Sequence, residues 1–169
     1  MDLLPKSLTP EILPNEQYND RFSKSTVFQQ EANYQIIDPE TNRVWGYVCI
    51  DNTQRGPGLG GIRMAQNIGL NEVSRLARAM TLKNSAACLP YGGGKAGLIA
   101  SDSRFYNDPT LKGLLIEKFA EALFELDNYL PAPDMGTDER DIQRIYNNHS
   151  EKLNTETHNR GGVGRPVEC

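Results

Sequence analysis

Histidine is scarce in this 169-residue chain: His149 and His158 are the whole complement, which leaves little material for a histidine-based triad or metal site. Cysteine is nearly as rare. Cys49, Cys88 and Cys169 form an odd, widely spaced set that fits neither a disulfide framework nor a zinc pattern, so reduced thiols are expected, two of them buried. Long apolar runs are also missing. No stretch approaches the roughly 18 residues of a membrane helix, and Met1-Asp2-Leu3-Leu4-Pro5 lacks the basic start of a secretory leader. A soluble, cytoplasmic protein with no membrane partner is therefore expected. Nor is there an excess of positive charge. Lys+Arg 18 against Asp+Glu 22 gives a net charge of −4, which argues against a nucleic-acid partner held by a general basic field.

What remains is ordinary for a globular domain: 38% hydrophobic and 24% charged residues exclude disorder along the whole chain. A single domain of roughly 100–200 residues is the default at this length. Pro5, Pro10 and Pro14 among polar residues predict a loosely ordered arm over residues 1–24, with at most a short helix after Thr9. Ala32 to Ile37 and Val44 to Ile50 flank the turn formers Asp38, Pro39 and Asn42, the pattern of an antiparallel hairpin. Gly60 to Met64 supplies another strand.

Apolar residues at Leu70, Val73, Leu76, Met80 and Ala87 predict an amphipathic helix from Leu70 to Cys88. Asp108 as N-cap and Pro109 as first residue announce a second, running through Leu126. A third starts after Thr137, with Asp138 and Glu139 where the helix dipole favours them, and buries Ile142, Ile145 and Tyr146. Strands at Ala96 to Ala100 and Tyr129 to Ala132 fall between the helices. The fold class is therefore α/β, a three-layer-like domain with a mixed sheet, spanning residues 25–150. Residues 151–169 have the composition of a linker.

Eleven of the 15 glycines sit in three short windows, 56–61, 92–97 and 161–164, where backbone is brought close to something. Gly56, Gly58 and Gly61 formally satisfy the dinucleotide fingerprint, but extended residues follow where a helix should open. Gly92-Gly93-Gly94-Lys95 fails as a phosphate loop, because Leu89 and Ala96 stand where glycine and a hydroxyl residue are needed. No metal site is expected.

Lys83 lies three positions after Met80 and seven after Leu76, on the apolar stripe of its helix. It is either a snorkelling lysine covering the edge of the core or a ligand-binding one. Lys95 opens a strand after three glycines. Were Lys83 and Lys95 to share a pocket, like charge and desolvation would lower one amine towards the range of a general base; otherwise Lys95 sits in a surface turn. Asp134, in the rigid segment Pro131-Ala132-Pro133-Asp134, either pairs with such a lysine or caps the following helix.

Four segments together, Gly56-Pro57-Gly58-Leu59-Gly60-Gly61-Ile62-Arg63-Met64, Leu76-Ala77-Arg78-Ala79-Met80-Thr81-Leu82-Lys83-Asn84, Pro90-Tyr91-Gly92-Gly93-Gly94-Lys95 and Pro131-Ala132-Pro133-Asp134-Met135-Gly136-Thr137, resemble the N-terminal, substrate-binding and dimerisation domain of the glutamate/leucine/phenylalanine/valine dehydrogenases. The resemblance implies oxidative deamination of an amino acid with NAD or NADP, and a homo-oligomer of at least two chains. It implies that Lys83 holds the substrate α-carboxylate, that Lys95 activates the water attacking the imine, and that Asp134 shuttles protons to and from the amino nitrogen. Glutamate-specific members carry a lysine where Leu59 stands, so the resemblance further implies an apolar substrate such as leucine, valine or phenylalanine. Leu59, Met80 and Ala132 would line its side-chain pocket, with Gly60 beside them in the substrate-binding set. The family's Rossmann domain has no counterpart in this sequence, so residues 151–169 are expected to lead towards an NAD(P)-binding domain outside it, and the chain alone is expected to bind no cofactor and to be inactive. Three other readings stand beside this one: a glutamate-type substrate, a stand-alone dimerisation or amino-acid-binding domain without catalysis, and phosphate binding at Gly92 to Lys95.

Overall fold

A computed structural model describes residues 3–14 and 30–148. Six strands form one sheet, β1 Thr9–Leu13, β2 Ala32–Asp38, β3 Arg43–Asn52, β4 Gly58–Ala65, β5 Gly92–Ile99 and β6 Tyr129–Pro133, in the order β1-β2-β3-β5-β4-β6. The half from β1 to β5 is antiparallel, whereas β5, β4 and β6 run parallel, so the sheet is mixed as expected. Helix α1 Leu70–Ala86 covers one face, and α2 Arg104–Asn107, α3 Pro109–Leu123 and α4 Glu139–Asn148 lie on the other. The hairpin turn is closed by Asn42, at φ 57°, whose N–H donates to the Asp38 carbonyl.

The larger core lies between the sheet and α2–α4, where Ile36, Val48, Ile62 and Leu98 meet Phe105, Leu115, Phe119 and Ile145. Burial of such side chains is the main force holding the layers together, about 1.5–3 kcal/mol each. A smaller cluster, Cys49, Ile68, Val73 and Ala77, joins α1 to the sheet. Asp108 caps α3 as its sequence predicted, accepting from the N–H groups of Thr110 (2.9 Å) and Leu111 (3.1 Å). Ile142 and Ile145 are buried on α4, and Tyr146 is half-buried with its hydroxyl donating to the Pro131 carbonyl.

Three expectations need correction. Residues after Thr9 form strand β1 rather than a helix or loose arm; proline is tolerated there because β1 is the edge of the sheet. Residues 15–24 of the expected arm and the whole of 151–169 lie outside the described residues, as do His149, His158 and Cys169. Cys49 is buried and Cys88 exposed; the expectation of two buried cysteines turns also on Cys169, outside the described residues. The glycine run before Lys95 is not a turn, since β5 begins at Gly92 and Lys95 sits in mid-strand. Finally, the sheet-facing residues of α1 are Val73, Ser74, Ala77 and Asn84, and Lys83 is exposed rather than on the buried stripe.

Candidate active site

Helix α1 packs on β5 through glycine. A methyl at Gly93 would stand 2.6 Å from the Ala77 carbonyl oxygen and closer still to the Thr81 backbone, and one at Gly97 would stand 2.7 Å from Val73. The side chain between them on the same strand face is Lys95, flanked across the β3 ladder by Cys49. Close packing on either side leaves Lys95 only 4% exposed. A lysine so enclosed needs a partner, and the Nζ atom makes an ion pair with Asp134 Oδ2.

Asp134 follows β6, and its loop is tied to β4. The Thr137 hydroxyl donates to the Ile62 carbonyl (2.7 Å) and accepts from the Asp134 N–H (3.0 Å), while the Met64 N–H donates to the Met135 carbonyl. Gly61 leaves the room: a methyl there would sit 2.7 Å from Asp134 Cβ. Asp134 does not cap α4; Asp138 does, through the N–H groups of Arg140 and Asp141. Arg63 completes the cluster, its Nε 3.1 Å from the same Asp134 oxygen and its Nη1 2.8 Å from Glu72 on α1.

These contacts set the charge states. Burial pulls the Lys95 amine below the usual lysine range against the pull of Asp134, and Arg63 and Lys83 lower it further. Burial works to raise Asp134, but hydrogen bonds from Lys95, the Met135 backbone and Arg63 hold it below the ordinary carboxylate value. The arrangement is thus an anionic carboxylate joined to an amine that gives up its proton more readily than lysine in water.

Lys95 and Asp134 therefore meet, as one of the two sequence readings required. Lys83 on α1 lies near enough to bear on the Lys95 charge. Leu59 and Ala132 share the α1 side of the sheet by register, Leu59 beside Gly93 and Ala132 beside Gly61. Met80 is half-buried on α1. Gly60 does not face this side: a methyl there would collide with the Gly94 carbonyl on β5, and its own carbonyl accepts from the buried Tyr129 hydroxyl (2.8 Å). A cavity of about 510 Å³ elsewhere, bordered by Pro10, Ile12, Tyr34, Thr53 and Asp127, contains none of these residues. The Lys95 cluster joins charges of opposite sign, whereas the cavity is bordered by Glu31, Glu125 and Asp127 with no lysine or arginine among its lining residues.

Sequence reasoning passed over Arg63, and with it the residues that seat α1. The Thr81 hydroxyl donates to Asp51 on β3, Arg78 Nε is 3.2 Å from the other Asp51 oxygen, and Asn84 Nδ2 donates to the Gly92 carbonyl at 2.6 Å and to that of Leu59 at 3.4 Å. Arg63 could have been found: it stands four residues after Leu59 on one strand, hence on the same face.

Neither glycine window opens a helix as a dinucleotide fingerprint or phosphate loop requires. Gly58 to Gly61 and Gly92 to Gly94 lie inside strands, and the first turn of α1 carries Glu72 rather than a phosphate cradle. Among the described residues there is also no group of three potential metal ligands and no helix long and apolar enough to cross a membrane.

The chain is 36% identical over 115 residues to the glutamate dehydrogenase of Aeropyrum pernix, covering 66% of this chain and 27% of that one. It is 35% identical over 103 residues to the leucine dehydrogenase of Thermoactinomyces intermedius, covering 59% and 27%. The crystal structure of glutamate dehydrogenase from Peptoniphilus asaccharolyticus superposes with a TM-score of 0.59 at 26% identity, over 91% of this chain and 34% of that one. The chain thus spans about a quarter of the length of these curated relatives. Residues 25–151 match the profile described as Glu/Leu/Phe/Val dehydrogenase, dimerisation domain, and the chain belongs to that family of amino acid dehydrogenases.

Proposed function

We propose that this chain is the substrate-binding, catalytic-lysine half of an amino acid dehydrogenase. The whole enzyme converts an L-amino acid to its 2-oxo acid and ammonia, with NAD or NADP as electron acceptor. Residues 25–150 are the working domain, and the cofactor is held by polypeptide other than the described residues. The single observation that supports this most strongly is the buried Lys95–Asp134 pair. A structural ion pair so enclosed gains little over an apolar one, whereas an amine lowered by its surroundings and bonded to a carboxylate suits proton transfer.

Lys83 binds the substrate α-carboxylate, a charge-assisted contact that also orients the molecule. Lys95, in its neutral form, takes the proton from the water that adds to the imine carbon. Asp134 exchanges protons with the amino nitrogen. Leu59, Ala132 and Met80 receive the side chain, which makes an apolar amino acid the substrate, because a carboxylate left unpaired beside Leu59 would bear several kcal/mol of desolvation. Gly60 contributes backbone only. The enzyme works as a homo-oligomer, in keeping with the dimerisation-domain match.

The test is calorimetric titration of the 169-residue chain with L-leucine and L-glutamate. Leucine should bind more tightly, and Lys83→Ala should weaken it at least about tenfold, the loss of one charge-assisted bond. Tighter binding of glutamate would overturn the apolar assignment. Leucine binding that ignores Lys83→Ala would overturn the carboxylate contact and favour a non-catalytic binding domain.

A further inference from the structure

Two cations meet one oxygen at the centre of this site. Lys95 Nζ and Arg63 Nε both contact Asp134 Oδ2, and the far end of the same guanidinium is held by Glu72 at 2.8 Å. Arg63 and Asp134 are each one-fifth exposed and Lys95 almost wholly enclosed, so little solvent screens the three charges from one another. We propose that Arg63, braced by Glu72, is a positioning residue that fixes the Asp134 carboxylate and competes with Lys95 for it.

The competition has a direction. A guanidinium cannot lose its proton in a protein, so Arg63 is a permanent charge beside an amine that can discharge. It favours the state in which Asp134 is anionic and Lys95 neutral, the state a general base requires. Were Arg63 absent, Lys95 would have the carboxylate to itself, and the resulting ion pair would hold the proton. Glu72 acts in the opposite sense, since it partly neutralises Arg63. Its carboxylate is half exposed on the first turn of α1, so its influence is the smaller.

The other titratable groups around Lys95 fit this scheme. Lys83 on α1 adds to the same pressure as Arg63. Cys49, opposite Lys95 on β3, is an uncharged thiol, pushed up to about 12 chiefly by burial. Asp51, further along β3, is taken by Thr81 and Arg78. Tyr129 bonds to the Gly60 carbonyl, and burial holds its hydroxyl neutral.

The inference rests on the reading of Lys95 as the base, but its test needs no substrate, so the two fail separately. Lysine side chains of the 169-residue chain are labelled with ¹³C and the Lys95 signal, assigned by its loss in Lys95→Gln, is titrated by NMR. Arg63→Gln should raise the Lys95 midpoint by about one pH unit, a tenfold gain in proton affinity. Glu72→Gln should lower it by a smaller step. Opposite shifts are what a merely structural contact does not give. An unmoved midpoint in Arg63→Gln, or shifts of the same sign, would overturn the proposal. Should Arg63→Gln fail to fold by circular dichroism, the exposed Glu72→Gln variant decides alone, a fall supporting the proposal and any other result refuting it.

Discussion

Gly93 is where helix α1 comes closest to the sheet, and Gly93→Ala tests whether that approach builds the site. The added methyl would lie 2.6 Å from the Ala77 carbonyl oxygen and nearer to Thr81. Ordinary contact needs about 3.5 Å, so the helix must retreat by about 1 Å. Both obstructing groups include helix backbone, which cannot rotate away as a side chain could. Overpacking of this kind costs about 1–3 kcal/mol. The retreat also strains the Thr81–Asp51 bond and lengthens the Asn84 bond to Gly92, and a strained bond to a buried carboxylate adds about 1.5 kcal/mol. The total is about 3 kcal/mol, which in a domain of this size lowers Tm by about 6–12 °C. Gly69→Ala is the control, since nothing stands within 4 Å of its methyl; it loses only the N-cap preference, under about 1 kcal/mol. Differential scanning calorimetry of both variants, followed by leucine titration of Gly93→Ala at a temperature where it is folded, gives the comparison. If Gly93→Ala melts within about 2 °C of the parent chain, the helix does not bear on the glycine and the reasoning fails.

Leu59→Lys should exchange the preference, raising glutamate affinity at least about tenfold while weakening leucine, because the new ammonium pairs with a distal carboxylate that Leu59 leaves bare; calorimetry showing leucine still preferred would remove Leu59 from the specificity determinants. Stability should also carry the signature of Lys95. Between its lowered folded value and the ordinary 10.5, the folded chain binds fewer protons at this position than the unfolded one, so stability rises with pH across that window. The Tm difference between the parent chain and Lys95→Gln should therefore shift in the parent's favour as pH rises towards the ordinary 10.5, and a constant difference would place the Lys95 proton equilibrium at its ordinary value. Asp134 has the acid-side counterpart: its contribution is complete above the ordinary 3.8 and lost as pH falls through its lowered value, so Asp134→Asn should flatten the acid limb of the Tm profile.

Much of the architecture was legible because it is written locally. Asp108 followed by Pro109 can hardly begin anything but a helix, and Asp38, Pro39 and Asn42 between two apolar runs close a hairpin. Strand β1 was not legible, because three prolines read as loop unless one knows that Pro10 sits on an edge, where its missing N–H is not needed. The class of the residues in the site was also visible: two lysines and an aspartate with too little apolar purpose. Their arrangement was less so.

The glycines explain that gap. Read in sequence, Gly92-Gly93-Gly94 looks like a turn, since three residues without side chains weaken a strand. In the fold they are strand, because each lost side chain makes room for something heavier: Asn52 and Gly56 backbone against Gly92, α1 against Gly93, the Tyr129 ring against Gly94. The energy that holds Gly93 extended comes from packing against Ala77 and Thr81, residues of α1 well upstream in the chain, and no local rule contains it. Lys95 inherits its burial from the same cause. A turn would have left it solvated with an ordinary amine; a strand pressed under a helix strips its water and leaves Asp134 as its near partner. Arg63 escaped notice for the complementary reason. An arginine in a strand usually reaches solvent, and only the return of β6 alongside β4 brings Asp134 within 3.1 Å of it. The chemistry of the site is thus a consequence of tertiary contacts made through residues that carry no chemistry themselves, which is why substitution at Gly61 or Gly93 should disturb Lys95 as surely as substitution of its charged neighbours.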